Sequence, residues 1–376
     1  MTHRERVLAA VRRQPPDRQP VDLGSTLATT LTAGAQQRLR AHLGLPAAAP
    51  AAVLLKRSQT VVPDQAILER FDIDTRAVLL GAAERRPDRP LNGDGFIDEW
   101  QVTWTRPAGG HYLSTDGPFY HLAEPSVRDL ENFDWPEAAD PGRYRGLRER
   151  ARELHEGTDC AVVLTLGVGP VHQAQFLRGY GEWLEDLILR PGFAGGLLDY
   201  CASFLVEVAR RALTEAGQYI DIVMFGDDVG TQRGPLVSPG HYRRFIKPAH
   251  RRIVEAIHRF GKPVLYHTCG SVAALIPDFI DIGVDILNPI QVSAAHMDTA
   301  ALKRDYGRHI AFWGAVDNQS VLPHGTPDDV RAEVRRRIRD LAPGGYILAA
   351  AHNIQADVPP ENIVVMYDTA RESSSW

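Results

Sequence analysis

Cysteine is scarce: Cys160, Cys201 and Cys269 are the only three in 376 residues. So sparse and odd a set excludes a disulfide framework as the source of stability. No apolar run approaches the roughly 18 residues that a membrane span needs. The opening Met1–Arg6 is charged and lacks both an apolar signal core and a small-residue cleavage site. A cytoplasmic protein that engages no membrane is therefore expected. Positive charge is not in excess either. The net charge is −5 with His neutral, which is not the basic footprint of a nucleic-acid binder. The Arg335–Arg337 run lies among Val334, Ile338 and Leu341 at helical spacing and reads as a solvated helix face. No G-x-G-x-x-G turn follows a candidate strand, which weakens a doubly wound dinucleotide-binding sheet. What is present is 44% apolar and 24% charged residues, the balance of a globular chain.

Thr2-x-x-Glu5 forms a capping box ahead of Val7, Leu8 and Val11 at helical spacing, and Pro15-Pro16 stops that helix. A short strand follows at Pro20–Gly24 and a helix near Ala35–Leu43. Pro46–Pro50 reads as a surface loop. Phe96–Trp104, a turn at Pro107–Gly110, and His111–Leu113 predict a β-hairpin decorating the main fold. From residue 160 the pattern becomes regular. Buried strands are predicted near Cys160–Gly167, Tyr219–Phe225, Pro263–His267, Val284–Asn288, Ile310–Gly314 and Tyr346–Ala350, with amphipathic helices between them. One helix is Phe193–Ala216. Another starts at a Ser238 cap with Pro239 and runs to Arg259, with a kink at Pro248. Six β-then-α units, plus weaker ones near Val21 and Ala77, make the eight of a (β/α)8 barrel of the TIM type. With no internal repeat and no linker, residues 1–376 are read as a single barrel domain. Residues 1–120 would be an N-terminal extension with the first strands and the hairpin, and 121–376 the main body.

Sites in such barrels lie at the C-terminal ends of the strands. Four strand ends here are polar in ways a core does not require. His267 and Cys269, two apart at a strand exit, share a face and have the donor atoms of a zinc site, although buried core residues fit the same pattern. His352 leaves the last strand, either as a third metal ligand, as an acid–base group or as a loop histidine. Asp227-Asp228 are adjacent carboxylates suited to proton transfer or to orienting a histidine ligand, or else to a simple turn. Asp317 closes the fourth, and is grouped with Gln232 and Tyr266 as substrate contacts. Asp74 and Arg76 before the second strand read as a proton-handling acid and a carboxylate anchor, or as a surface ion pair. Cys160 and Cys201 read as core.

Taken together, these residues resemble the uroporphyrinogen decarboxylase (URO-D) superfamily. The resemblance rests on Thr2–Val11 with Pro16–Val21, Gly226–Gln232 through Gly234–Pro239 with Tyr242, Phe245, Lys247-Pro248 and His250, then His267-x-Cys269-Gly270, His352–Gln355 and Pro359–Asn362. True uroporphyrinogen decarboxylases carry an R-Q-A-G-R-Y stretch for substrate carboxylates, where this chain reads Val21–Thr26. The other branch, corrinoid-linked methyltransferases, resembles this chain in its H-x-C pair, which with a later Cys binds zinc and ionises an acceptor thiol. His352 stands where that Cys would be. The resemblance thus implies a zinc site of two imidazoles and one thiolate, less negative and so a stronger Lewis acid. No D-x-H-x-x-G cobalamin motif occurs, so a corrinoid would come free or on a partner protein. The expected activity is a zinc-dependent methyltransferase acting on a small molecule, in a homodimer as superfamily relatives often are. A metal-independent decarboxylase or related lyase using Asp74 and Arg76 is second, and a non-catalytic binding protein on the same fold third.

Overall fold

The computed structural model describes residues 1–46 and 51–373, so most of the loop read at Pro46–Pro50 lies outside the described residues. Seven parallel strands form one curled sheet: β1 (Thr75–Leu79), β2 (Ala161–Val168), β3 (Ile222–Gly226), β4 (Val264–His267), β5 (Ile286–Asn288), β6 (Ala311–Val316) and β7 (Tyr346–Ala350). Each pairs with the next in chain order. Their near-continuous aliphatic sequences suit strands covered on both faces.

The strand read at Pro20–Gly24 is reduced to one parallel bridge, Val21 to Leu348. It still closes the barrel. Leu348 N–H donates to the Pro20 carbonyl at 2.9 Å, and Asp22 N–H to that of Leu348 at 2.9 Å. Asp74 N–H reaches the Val21 carbonyl at 3.1 Å. The interior holds Ala161, Val163, Ile222, Met224, Leu265, Ile286, Ala311, Trp313, Ile347 and Ala349. Helix α1 (His3–Val11), started by the Thr2–Glu5 capping box, adds Val7, Ala10 and Val11 to the same cluster and plugs the N-terminal end. The opposite, C-terminal end is left for loops.

Three expectations need correction. The single hairpin is a four-stranded antiparallel sheet of Arg89–Leu91, Gly95–Ile97, Thr103–Thr105 and Leu113–Asp116. The strand expected through Phe96–Trp104 breaks because the Asp98 carboxylate accepts the Trp100 and Val102 N–H groups and the Trp104 indole N–H, bending the chain into a turn. The helix expected from Ser238 comes in pieces. A five-residue π turn at Tyr242–Ile246 precedes Lys247–His258, immediately before Pro248, whose missing N–H leaves the preceding turn free to widen. In the Arg335–Arg337 run, Arg337 is buried, donating to both carboxylate oxygens of Glu333 and to Thr299. Cys160 and Cys201 are buried as expected. Pro191–Ala216 extends the predicted helix N-terminally by two residues. By length and composition it is apolar enough to cross a membrane, but half of its most apolar stretch is buried inside the protein.

Candidate metal centre at the barrel rim

The C-terminal end of β4 carries His267 and Cys269, and the loop after β7 brings His352 to them. The ligand-type atoms of all three lie within 4.8 Å of one another. Cys269 Sγ is 3.6 Å from His267 Nε2, and the His267 and His352 rings stand at 69° with centroids 5.5 Å apart. His267 is held from behind. Its Nδ1 sits 2.7 Å from Asn288 Oδ1 at the end of β5, and the Asn288 amide donates to the Trp313 carbonyl at 3.2 Å. Since Asn288 Nδ2 faces a carbonyl, Oδ1 is the acceptor, so His267 carries its proton on Nδ1. Its Nε2 lone pair then faces Cys269. Gly270 follows in the left-handed region at φ +90°, and a Cβ there would come within 2.6 Å of the Gly230 carbonyl carbon. Glycine therefore lets the Cys269 turn lie against the β3 loop.

The adjacent acids have separated roles. Asp227 is fully buried. Its Oδ2 accepts from the Val171 N–H at 3.0 Å and lies 2.9 Å from His250 Nε2, while Oδ1 accepts from the His172 N–H at 2.8 Å. It thus caps, from another strand, the start of helix α2 (Pro170–Arg178), whose own cap position is Gly169. A Cβ on Gly169 would lie 2.4 Å from Asp227 Oδ2, so the acid occupies the space of the missing side chain. Asp228 turns to the rim. Its Oδ1 accepts from the Cys269 N–H at 2.7 Å and lies 3.7 Å from His267 Nε2, and its Oδ2 lies 3.6 Å from His172 Nε2.

Protonation follows from these neighbours. Burial lowers the pKa of His267, and burial with the nearby His267 pushes His352 down to about 4, so both imidazoles are neutral near pH 7. Burial and the Asp228 charge push the Cys269 thiol well up. Burial opposes ionisation of Asp228, but His172 and His267 outweigh it and hold the carboxyl below its usual range. Burial likewise opposes charge on His172, and Asp228 and Asp227 outweigh that, raising its pKa. The rim therefore holds two neutral nitrogen donors and a thiol beside a carboxylate, a set that lacks one cation.

The other expected site residues are dispersed. Asp74 and Arg76 are not at the rim. They precede or begin β1 at the plugged end, where Asp74 is fully buried against Arg6, Arg18 and His3, and Arg76 donates to the carbonyls of Ile73 and Thr75. This corrects their reading as substrate contacts, because the barrel core separates them from the open end. Tyr266 is corrected too. Alternation with His267 turns it out of the barrel onto Phe225, His250 and Phe279, and its hydroxyl donates to the Asp227 carbonyl at 3.1 Å. Asp317 accepts the Gln319 and Ser320 N–H groups at 2.7 and 2.9 Å and shapes its turn. Gln232 is exposed on the loop after β3. A cavity of ≈ 230 Å³ reaches Cys269 and His352. Asn288 and His172 went unread in the sequence. Asn288 is a strand-end polar residue like those that were singled out, and His172 is in the first turn of a helix that follows a barrel strand.

Comparison with known proteins bears on the family and the fold. The family model described as "Uroporphyrinogen decarboxylase (URO-D)" matches residues 111–373. The "Methylcobamide:CoM methyltransferase MtbA" of Methanosarcina mazei is 25% identical over 379 residues, covering 98% of both chains. The "Uroporphyrinogen decarboxylase" of Trichodesmium erythraeum is 26% identical over 305 residues, covering 77% of this chain and 81% of its own. A solved structure described as "methyltransferase from Methanosarcina mazei" superposes with TM-score 0.70 over 99% of both chains at 19% identity, which speaks to the fold.

Proposed function

The chain belongs to the uroporphyrinogen decarboxylase (URO-D) family, and from that premise we propose that it is a zinc-dependent methyltransferase with the metal held by His267, Cys269 and His352. The observation that carries this reading is the 3.6 Å between Cys269 Sγ and His267 Nε2. Tetrahedral zinc, with Zn–S ~2.3 Å and Zn–N ~2.0–2.1 Å, puts these two atoms about 3.6 Å apart. The donor set also fits: three protein ligands, both histidines neutral, and an outer partner fixing the tautomer of His267. Zinc bound there would be a Lewis acid that makes a coordinated thiol easier to ionise.

The residues around it then have defined tasks. Asn288 orients His267. Asp228 holds the Cys269 backbone in place and pairs with His172 beside the ligands. Asp227 positions His172 by fixing the start of α2. The methyl group would come from a methylated substrate or from a corrinoid, free or on a partner protein, in keeping with the full-length likeness to a methylcobamide-using enzyme. Two observations weigh against decarboxylation of a tetrapyrrole. Asp74 and Arg76 lie at the plugged end, and the cavity at the triad, ≈ 230 Å³, suits a small molecule.

The test is metal content by elemental mass spectrometry after purification without chelator. About one zinc per chain is expected, lost in Cys269→Ala and His267→Ala while circular dichroism shows both folded, with methyl transfer to a thiol lost in parallel. Turnover that survives metal removal would overturn the reading.

A further inference from the structure

Five of the eight residues lining the cavity at Cys269 and His352 carry side-chain carboxamides: Gln291, Asn318, Gln319, Asn353 and Gln355. No lysine or arginine lines it among the described residues. Three of the amides are engaged within the protein. Asn353 accepts from the Thr30 N–H and donates to the Leu27 carbonyl, Gln355 donates to the Asn353 carbonyl, and Gln319 accepts from Ser293. Two are not. Gln291 is buried, its Oε1 accepts from the Gly270 N–H at 2.7 Å, and its Nε2 has no hydrogen-bond partner among the described residues. Since Gly270 requires an acceptor, the amide orientation is fixed and the donor is the free end. Asn318 makes no side-chain hydrogen bond among the described residues. The carboxylates of Asp228 and Asp317 accept from the N–H groups of the lining residues Cys269 and Gln319, and the imidazole that faces Asp228, His172, is paired with it.

An anionic tail on a substrate would meet no lysine or arginine here, while giving up its water. A hydroxyl, ether or amide oxygen would find two amide donors without partners, in a space small enough to exclude much of its hydration. We propose that the molecule delivered to the metal is a small neutral thiol or thioether bearing such an oxygen, not a sulfonate or carboxylate, and that Gln291 and Asn318 read that oxygen. This rests on the metal reading above and names its substrate class.

The protein loaded with cobalt(II) in place of zinc provides the test, because a bound thiolate adds a charge-transfer band. It is titrated with 2-mercaptoethanol, 2-mercaptoethanesulfonate and ethanethiol. The expected dissociation constant for 2-mercaptoethanol is at least about tenfold below that of the sulfonate. Asn318→Ala and Gln291→Met should each raise it by about 3- to 10-fold, the worth of a neutral hydrogen bond, and leave ethanethiol within about twofold. Asn318 has no partner to lose, so its variant tests the idea even if Gln291→Met folds poorly. A sulfonate bound as tightly as the neutral thiol, or variants that weaken ethanethiol equally, would overturn the inference while leaving the metal site standing. A protein that takes up no cobalt overturns the metal reading and this inference with it.

Discussion

The two ends of the barrel each hold a dense cluster of titratable side chains, and they are built on opposite plans. At the N-terminal end the charges gathered around Asp74 are matched. Asp74, fully buried, accepts from Arg6 at 2.7 Å, from Arg18 at 3.0 Å and from the Val21 N–H at 2.8 Å, with His3 Nδ1 at 2.7 Å. Arg6 also holds Asp17, and Arg18 also holds Asp72. At the C-terminal rim the groups are poorly matched. Cys269 and the two histidines face one another with the Asp228–His172 pair alongside and no lysine or arginine between them, and the buried Gln291 Nε2 has no hydrogen-bond partner among the described residues. A saturated cluster has no further capacity and serves to lock the plug helix to the barrel. An unsaturated one costs stability unless something binds, and so marks the candidate site.

The sharpest way to break this contrast is to remove Asp74. Asp74→Ala strands Arg6 and Arg18 without their central carboxylate, and breaking a buried pair costs about 3–5 kcal/mol. Urea denaturation should show that loss, whereas metal bound per folded molecule should not change. Intact stability with lost turnover would mean the saturated end is the working one. A smaller effect is expected from Asn288→Leu, which leaves the ligands in place and frees His267 to change tautomer. Loss of such an outer partner lowers metal affinity by about 10–100-fold, readable by competition with a chelator. Unchanged affinity would remove Asn288 from the site.

How much of this was legible depends on which physics the residues express. The strands from residue 161 onward are runs of aliphatic residues ended by turn formers, so their positions emerge to within a few residues. The first stave is a single bridge at Val21, and only closure against Leu348 and Asp74 makes it part of the barrel. The Asp98 turn was hidden because one aspartate captures three donors in what is otherwise a β-rich segment. At the rim, the strand-end rule found His267, Cys269, His352 and the Asp227-Asp228 pair. Applied evenly, it also contained Asn288, and it argued against Asp74 and Arg76, which stand at the start of a strand and not its end. His172 meets Asp228 only because α2 and β3 are neighbours in space, a contact that no local pattern encodes.

The smallest expected effect tests the saturated end by pH. The hydrogen bond to Asp74 raises the pKa of His3, opposed by burial and reinforced by the charges of Asp74, Asp159 and Asp72. Because the folded pKa lies above the unfolded value of 6.5, the protonated ring stabilises the fold. That contribution is complete below about pH 6.5 and fades as pH rises through the folded value. Removing the ring should therefore flatten the stability profile on the alkaline side of that window and change it little elsewhere. His3 is partly exposed, so the contribution is expected to be under about 1 kcal/mol. Unfolding free energies of wild type and His3→Gln, compared at pH 6 and pH 8.5, isolate it from the other histidines. The wild-type advantage should be present at pH 6 and shrink by pH 8.5. An advantage that grows with pH would mean that His3 is neutral in the fold and that the charges around Asp74 are matched by the two arginines alone.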